Sequence, residues 1–250
     1  MRNSLIYDLP TRIFHWLFAA LFLGAFAIGK IVDDESLLFS YHMLLGLMMG
    51  GLIFWRFIWG FVGSQHARFS GFNLNPTKLF AYFKGIITGS KHKDAGHNPA
   101  SSWAAITMMI LGLGLSITGF LMTTGAKESF EDIHELMANS FIVVVALHVS
   151  GIILHSIRHR DAIALSMIDG KKDSFASNAT INSSRPVAAL LLIAFIAGGA
   201  IVLSQNFNST TRELNLFGQT LQLGDNELGG NPSINSESNY DSRDEEEDHD

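Results

Sequence analysis

Five stretches of this chain carry no charged side chain over the length that a helix needs to cross a bilayer. An α-helix needs about 20 mostly apolar residues to span the hydrocarbon core, with a range of roughly 17 to 25. The uncharged stretches are residues 13–29, 36–55, 98–125, 136–157 and 186–211, the last with its apolar part at 187–203. They are too long for strands, and they lack the alternating polarity of an outer-membrane barrel. The sequence therefore predicts an all-α integral membrane protein.

The composition favours the same class and narrows the cofactor chemistry. Charged residues make up only 16% of the chain, whereas soluble domains carry about 25%. There is no cysteine, which excludes disulfides, thiolate-bound iron–sulfur clusters, thiolate zinc sites and covalent haem attachment through C-x-x-C-H. Ten histidines and nine methionines remain as candidate metal ligands.

The first apolar stretch has some features of a cleaved signal peptide. Arg2 and Arg12 precede it, and residues 25–27 read Ala-Phe-Ala, the form of a cleavage site. That triplet lies inside the apolar run, however, and a second uncharged stretch follows within a few residues. We therefore expect the first stretch to remain as a transmembrane helix.

Lysine and arginine concentrate on one side of a five-span topology. One side collects 13 of the 17 basic residues, namely Arg2, Arg12, Arg56, Arg68, Lys78, Lys84, Lys91, Lys93, Arg158, Arg160, Lys171, Lys172 and Arg185. The other side has Lys30, Lys127, Arg212 and Arg243, beside the acidic residues of 33–35 and 128–132. Because basic residues favour cytoplasmic loops, we expect a cytoplasmic N terminus and an external C-terminal segment.

The C-terminal segment 207–250 differs in composition from the rest of the chain. It has 11 acids and 2 bases, so it contributes −9, whereas the other 206 residues have 15 bases and 12 acids and contribute +3. A polar, acidic segment buries too little apolar surface to fold alone. The sequence thus predicts a disordered acidic tail in which only residues 214–224 are apolar enough to dock elsewhere.

Histidines lie in the predicted spans, where ionisable side chains are rare and usually functional. His15 begins the first span on the inner side, His42 lies in the outer part of the second, and the fourth carries His134 near its outer start and His148 deeper. The 14-residue spacing of the last two is about 21 Å of helix and returns to within roughly 40° of the same face. His42 thus matches His134 in depth, and His15 lies nearer His148. Two bis-histidine haems satisfy this arrangement directly.

Spacing alone allows a second histidine as the partner of His15 in the inner pair. His155 matches His15 better in depth than His148 does, and it lies within roughly 60° of the face of His134. His148 and His155 are therefore both candidate partners of His15.

Other chemistries compete with haem. Any single intramembrane histidine has a structural alternative, a hydrogen bond to a backbone carbonyl or hydroxyl. Zinc prefers ligands clustered at one depth, and only Asp132 and Glu135 beside His134 offer carboxylates for it. Gly46 and Gly151, each about one turn after a histidine, favour haem because they leave room for a flat macrocycle.

Several motifs resemble one family, the bacterial cytochrome b561 / nickel-hydrogenase-type cytochrome b superfamily. They are YDLPTRIFHW (7–16), YHMLLG (41–46), WRFIWGFVG (55–63), ARFSGF (67–72), GHNP (96–99) and IHELMANSFIVVVALHVSGIILHSIRHRD (133–161), within a resemblance over residues 5–175. The resemblance implies a four-helix haem-binding membrane domain over residues 1–180. An additional transmembrane helix at 186–206 and the acidic tail at 207–250 depart from that pattern.

The resemblance also implies a function and its residues. Position by position, the haem iron ligands are His15, His42, His134 and His148, paired as His42 with His134 and His15 with His148. Two non-covalent b haems would pass electrons between the quinone pool and a periplasmic partner, a c-type cytochrome or a hydrogenase-like subunit. The expected setting is the bacterial inner membrane, with lipid and quinone as further partners and no nucleic acid. The chain would be an electron-transfer subunit and not a stand-alone enzyme.

Some residues stay open to either interpretation. Arg12, Arg56 and Arg158 inside, and Lys30 and Lys127 outside, are candidate partners of the anionic haem propionates, and the alternative is positive-inside topology or interfacial snorkelling. His66 and His97 are candidates to assist a quinone or proton site. A non-redox membrane transporter or scaffold whose histidines bind metal is the rival function.

Overall fold

A computed structural model describes residues 2–88, 98–159, 163–174 and 180–224, and most of them are helical. The helices are α1 (Leu9–Ile31), α2 (Leu37–Val62), α3 (Pro76–Thr88), α4 (Pro99–Leu121), α5 (Lys127–His159), α6 (Ser166–Asp169) and α7 (Pro186–Asn206). The strands are β1 (Arg2–Leu5), β2 (Lys171–Ser174), β3 (Phe207–Asn208), β4 (Glu213–Leu216) and β5 (Gln219–Gln222). The predicted all-α membrane class is confirmed.

The long helices form a multi-pass membrane protein. Four helical stretches are long and apolar enough to cross a bilayer, namely Leu9–Ile31, Leu37–Val62, Pro99–Arg158 and Pro186–Asn206. The third has 60 residues because a π turn at Met122–Ala126 joins α4 to α5. Gly125 in this turn has φ +97°, a value that favours glycine, and α5 then packs back against α4. The four stretches therefore contain the five predicted spans.

Side-chain caps set where α1 and α4 begin. The Asp8 carboxylate accepts a hydrogen bond from the backbone nitrogen of Thr11 at 2.9 Å, and the Asn98 side chain accepts one from that of Ser101 at 2.7 Å. A proline follows each cap in the first helical turn, where its fixed φ suits the helix and its missing N–H costs nothing. We call the end of the bundle that carries the N terminus the inner end and the opposite end the outer end.

An aromatic core joins the spans between these ends. Phe14, Phe18 and Phe22 recur every four residues on one face of α1, and all are buried. Phe141 of α5 stacks on Phe22 with ring centroids 3.8 Å apart. Leu192 of α7 is fully buried in the same cluster, so α7, the fifth predicted span, is packed into the bundle.

The chain closes the inner end with a short sheet. β1 pairs antiparallel with β2, which follows α6 by two residues. The Gly170 carbonyl accepts hydrogen bonds from the backbone nitrogens of Ile6 and Tyr7 at 2.8 and 3.1 Å. Trp16 donates its indole N–H to the Met167 carbonyl at 2.9 Å. The N terminus is thereby tied to the segment that follows α5.

A three-stranded antiparallel sheet covers part of the outer end. It has the order β3-β4-β5 and begins directly after α7. Leu214, Leu221 and Leu223 are buried, and they pack against the first turns of α2 and the end of α7. The structure therefore differs from the expected disorder over residues 207–224, because these leucines find a helical surface to cover. Residues 225–250, which hold the acidic terminus, lie outside the described residues.

Candidate functional site

His42 of α2 and His134 of α5 lie side by side at the outer end. Their ring centroids are 6.1 Å apart, and the ring planes are inclined at 66°. Both line a cavity of about 480 Å³, together with Gly46, Ser116 and Gly119. Two imidazole–metal bonds of about 2.0 Å, with a ring radius of about 1.1 Å on each side, place ring centres about 6 Å apart. The observed separation fits two axial ligands of one iron.

Each outer histidine is anchored through Nδ1. The Nδ1 of His42 lies 2.7 Å from the Ala25 carbonyl oxygen, and that of His134 lies 2.8 Å from Oγ1 of Thr118. The Thr118 hydroxyl donates to the Gly114 carbonyl at 2.8 Å, so its oxygen is free to accept from the imidazole. An imidazole that donates from Nδ1 keeps the lone pair of Nε2 for a metal. Both rings thus have the tautomer that an axial ligand needs.

Glycines shape the space around these rings. A Cβ at Gly29 would lie 2.9 Å from Nδ1 of His42, and one at Gly119 would lie 3.4 Å from Cε1 of His134. Gly29 therefore lets α1 approach the His42 imidazole, whereas a Cβ at Gly119 would be in ordinary van der Waals contact with His134. A Cβ at Gly46 would meet nothing within 4 Å, so Gly46 leaves an open volume one turn from His42. The residues present fit a flat macrocycle.

The inner histidines are arranged more loosely. His148 and His155 line a cavity of about 720 Å³ between α3, α4 and α5, and Trp103 lies in the same wall. Within the described residues, His15 is not among the side chains that line this cavity. Its Nδ1 is buried without a hydrogen-bond partner, so this ring has no anchor like those of the two outer histidines. Nε1 of Trp103 is also buried without a partner, as is expected where a ligand supplies the missing contact. The pairing of His15 with His148, and the choice between His148 and His155, stay predictions.

Two ion pairs lie at the mouth of the outer cavity. Lys30 is 2.6 Å from Glu135, and Lys127 is 3.3 Å from Asp34. All four side chains line the cavity and are partly exposed, so the pairs add little stability. Lys30 and Lys127 therefore line the outer cavity and remain candidates to hold haem propionates.

The inner arginines hold chain segments in place. Arg12 donates to the Ile168 carbonyl, Arg56 to that of Ala67 at 2.8 Å, and Arg158 to carbonyls at the end of α3. Arg56 is buried between aromatic rings. Nε of Arg12 and Nη1 of Arg56 are buried without an acceptor. Each therefore keeps one donor for a further anion, in keeping with the propionate interpretation.

Several residues of the site carry no recognisable sequence signal. Thr118 supports His134 from 16 positions away, and no spacing rule connects a hydroxyl on one helix with an imidazole on the next. Gln222 and Gly224 line the outer cavity from the C-terminal sheet, which the sequence interpretation left as tail. His66 lies in the loop after α2, and His97 falls outside the described residues.

The zinc alternative concerned His134 with Asp132 and Glu135. Within the parts of the chain that the structure describes, no group of three or more histidine or carboxylate side chains is arranged to hold a metal ion. Glu135 instead pairs with Lys30 and accepts a hydrogen bond from Asn139.

Comparison with known proteins gives consistent matches. The family model for prokaryotic cytochrome b561 matches residues 6–170. A "Probable Ni/Fe-hydrogenase B-type cytochrome subunit" from Rhizobium leguminosarum bv. viciae is 28% identical over 210 residues, which cover 67% of this chain and 87% of the relative. A protein of the same name from Bradyrhizobium diazoefficiens is 21% identical over 213 residues, with 67% and 85% covered.

A third relative aligns with a smaller share of this chain. The "Probable Ni/Fe-hydrogenase 1 B-type cytochrome subunit" of Escherichia coli (strain K12) is 24% identical over 140 residues, 47% of this chain and 59% of the relative. No solved structure gives a significant match. The family match ends at residue 170, before α7 and the C-terminal sheet.

Proposed function

We propose that this chain, which belongs to the prokaryotic cytochrome b561 family, binds two b haems. Electrons would cross the membrane by passing from one haem to the other. Family membership makes the chain a b-type cytochrome that takes part in electron transfer. His42 and His134 would hold the outer haem, and His15 and His148 the inner haem. The observation that carries the outer assignment is the 6.1 Å separation of the His42 and His134 rings, and the inner assignment follows the family resemblance.

The protein side chains set what a bound haem does. A b haem supplies one-electron chemistry at its iron. His42 and His134 would both hold the haem iron, which would favour electron transfer over binding of a substrate at the iron. The Ala25 carbonyl and the Thr118 hydroxyl hold the two rings in orientation, which limits the rearrangement that accompanies a change of charge.

An apolar layer separates the two haem levels. Phe141 lies midway along α5 between His134 and His148 and is 1% exposed. It stacks on Phe22 of α1, and both belong to the main core cluster. These side chains keep water out of the space between the sites, so an electron crosses a packed interior and no aqueous channel is required.

The partners follow from the two ends of this path. On the inner side we assign a quinone as the partner, as the family resemblance implies; the cavity of about 720 Å³ is lined by His148 and is therefore the place for the inner haem. On the outer side, we propose a periplasmic c-type cytochrome or a hydrogenase-like subunit as the partner. The relatives' names are those of hydrogenase subunits and support the second. The excess of basic residues, 13 of 17 on one side, supports a cytoplasmic inner end in a bacterial inner membrane.

Haem counting on purified protein tests the proposal. The pyridine haemochrome assay should give two b haems per chain. His134→Ala should remove one haem and keep the other, since His15 and His148 are untouched. His155→Ala is the matched control, because it lines the same cavity as His148 but should retain both haems.

Two results would contradict the proposal at different points. Purified protein without haem would refute the function. Loss of a haem in His155→Ala together with retention in His148→Ala would leave the function standing and transfer the inner ligand to His155.

A further inference from the structure

The C-terminal sheet contributes to the wall of the outer cavity. Gln222 and Gly224 line the same cavity as His42 and His134. The Ser40 hydroxyl of α2, two residues before His42, donates a hydrogen bond to the Leu223 carbonyl. Residues 207–224, here called the outer cap, therefore touch the site that the family core provides.

The outer cap is fixed to the helix turn that carries the ligand. Leu214, Leu221 and Leu223 are at most 2% exposed, and Met43, Leu44 and Leu47 of α2 pack against them. Burial of three leucines is a substantial apolar contact. The position of the outer cap is thus coupled to the segment of α2 next to His42.

Gln222 and Leu223, at the cavity end of the outer cap, make hydrogen bonds within the outer cap. The backbone nitrogen of Leu223 donates to the Arg212 carbonyl at 2.8 Å. The Gln222 side chain donates to the carbonyls of Gly224 and Thr211 at 3.0 and 3.2 Å. A Cβ at Gly224 would lie 3.5 Å from the Asp34 carbonyl. The outer cap therefore reaches the α1–α2 loop with the Leu223 N–H and the Gln222 side-chain amide paired within it.

We propose that the outer cap shields the outer haem from water and thereby raises its reduction potential. The proposal rests on the assignment of a haem to His42 and His134. Oxidation adds a positive charge at an iron with two neutral imidazole ligands, and water stabilises that charge. A wall that excludes water disfavours the oxidised form, and solvent exposure is a known determinant of haem potentials. The same wall limits the approach of small solutes to the haem edge.

Two truncations separate the outer cap from the acidic residues that follow it. A stop after Gly224 removes residues 225–250 only, and a stop after Asn206 also removes the outer cap. Redox titration of both proteins at high salt, where exposed charges are screened, gives the midpoint potentials. The longer protein should keep both wild-type potentials. The shorter one should show a lower potential for one haem, by up to about 59 mV, the equivalent of a tenfold one-electron change.

A substitution in the full chain tests the same point without truncation. Leu214→Ala combined with Leu221→Ala loosens the outer cap, and Phe217→Ala is the control because this side chain, in the turn between β4 and β5, is fully exposed. The double variant should lower one potential and speed oxidation of that haem by ferricyanide, and the control should do neither.

The outcomes separate this proposal from the function on which it rests. If both haems are bound and neither potential moves without the outer cap, the shielding role is refuted and the cytochrome function stands. If both potentials fall together, the effect is general loosening and the shielding role is again refuted. If the wild-type protein has no haem, the proposed function itself fails.

Discussion

The hydroxyl of Thr118 should control how firmly His134 binds the outer haem. Thr118 is 8% exposed, and its oxygen lies 2.8 Å from Nδ1 of His134. Thr118→Val keeps the shape of the side chain but removes the acceptor, so a buried imidazole N–H is left without a partner. That is an unfavourable state for any buried donor, costing about 1–3 kcal/mol.

The expected loss of haem affinity follows from what the hydrogen-bond partner of a metal-ligating histidine contributes. Removing the hydrogen-bond partner of a metal-ligating histidine typically reduces affinity about 10- to 100-fold, equivalent to about 1.4–2.7 kcal/mol. The loss should fall mainly on the oxidised haem, because the hydrogen bond makes the imidazole a stronger electron donor to ferric iron. A tenfold loss confined to that state would raise the potential by about 59 mV.

Redox titration and haem retention in detergent measure these effects. Ser116→Ala is the matched control, since Ser116 lies on the same helix and lines the same cavity. Its hydroxyl donates to the carbonyls of Gly112 and Gly46 and serves no histidine. The reasoning is refuted if Thr118→Val retains haem and potential as the wild type does, or if Ser116→Ala changes them equally.

Three further expectations concern the cavity, the topology and the acidic terminus. Gly46→Leu should abolish the outer haem and keep the inner one, whereas Gly198→Leu, at an exposed glycine of α7 with equal space, should keep both in the haemochrome assay. Reporter fusions at Asn178 and Asn231 should report opposite sides of the membrane, and a common side would mean that α7 does not cross. Deleting residues 241–250 should slow electron transfer to a basic outer partner at low salt and have little effect at high salt. The reason is that steering by exposed charges is screened over about 8 Å at physiological ionic strength. Equal rates for the deleted and the full-length protein at low salt would exclude steering.

The spans and the outer histidine pair were accessible from sequence for a physical reason. A bilayer imposes a helix length, so the uncharged runs located the long apolar helices that the structure shows, and depth along those helices matched His42 with His134. Depth says nothing about rotation or about helix packing. The choice between His148 and His155 therefore stayed open, and the support of His134 by Thr118 could not be foreseen. The helix α3 was missed because its 13 residues are shorter than any span.

The C-terminal sheet was missed because composition was averaged over too long a window. Of the 11 acids in residues 207–250, 10 follow Gly224 and only Glu213 precedes it. The apolar part has a period of two on both sides of a two-residue turn, with Leu214 and Leu216 before Phe217-Gly218 and Leu221 and Leu223 after it. That pattern predicts a β-hairpin. An isolated hairpin is marginal in water, but one that packs on a helix is not, and here the exposed start of α2 provides the surface. The same contact places Gln222 and Gly224 in the wall of the outer cavity beside His42 and His134, so the segment that composition obscured is part of the candidate site.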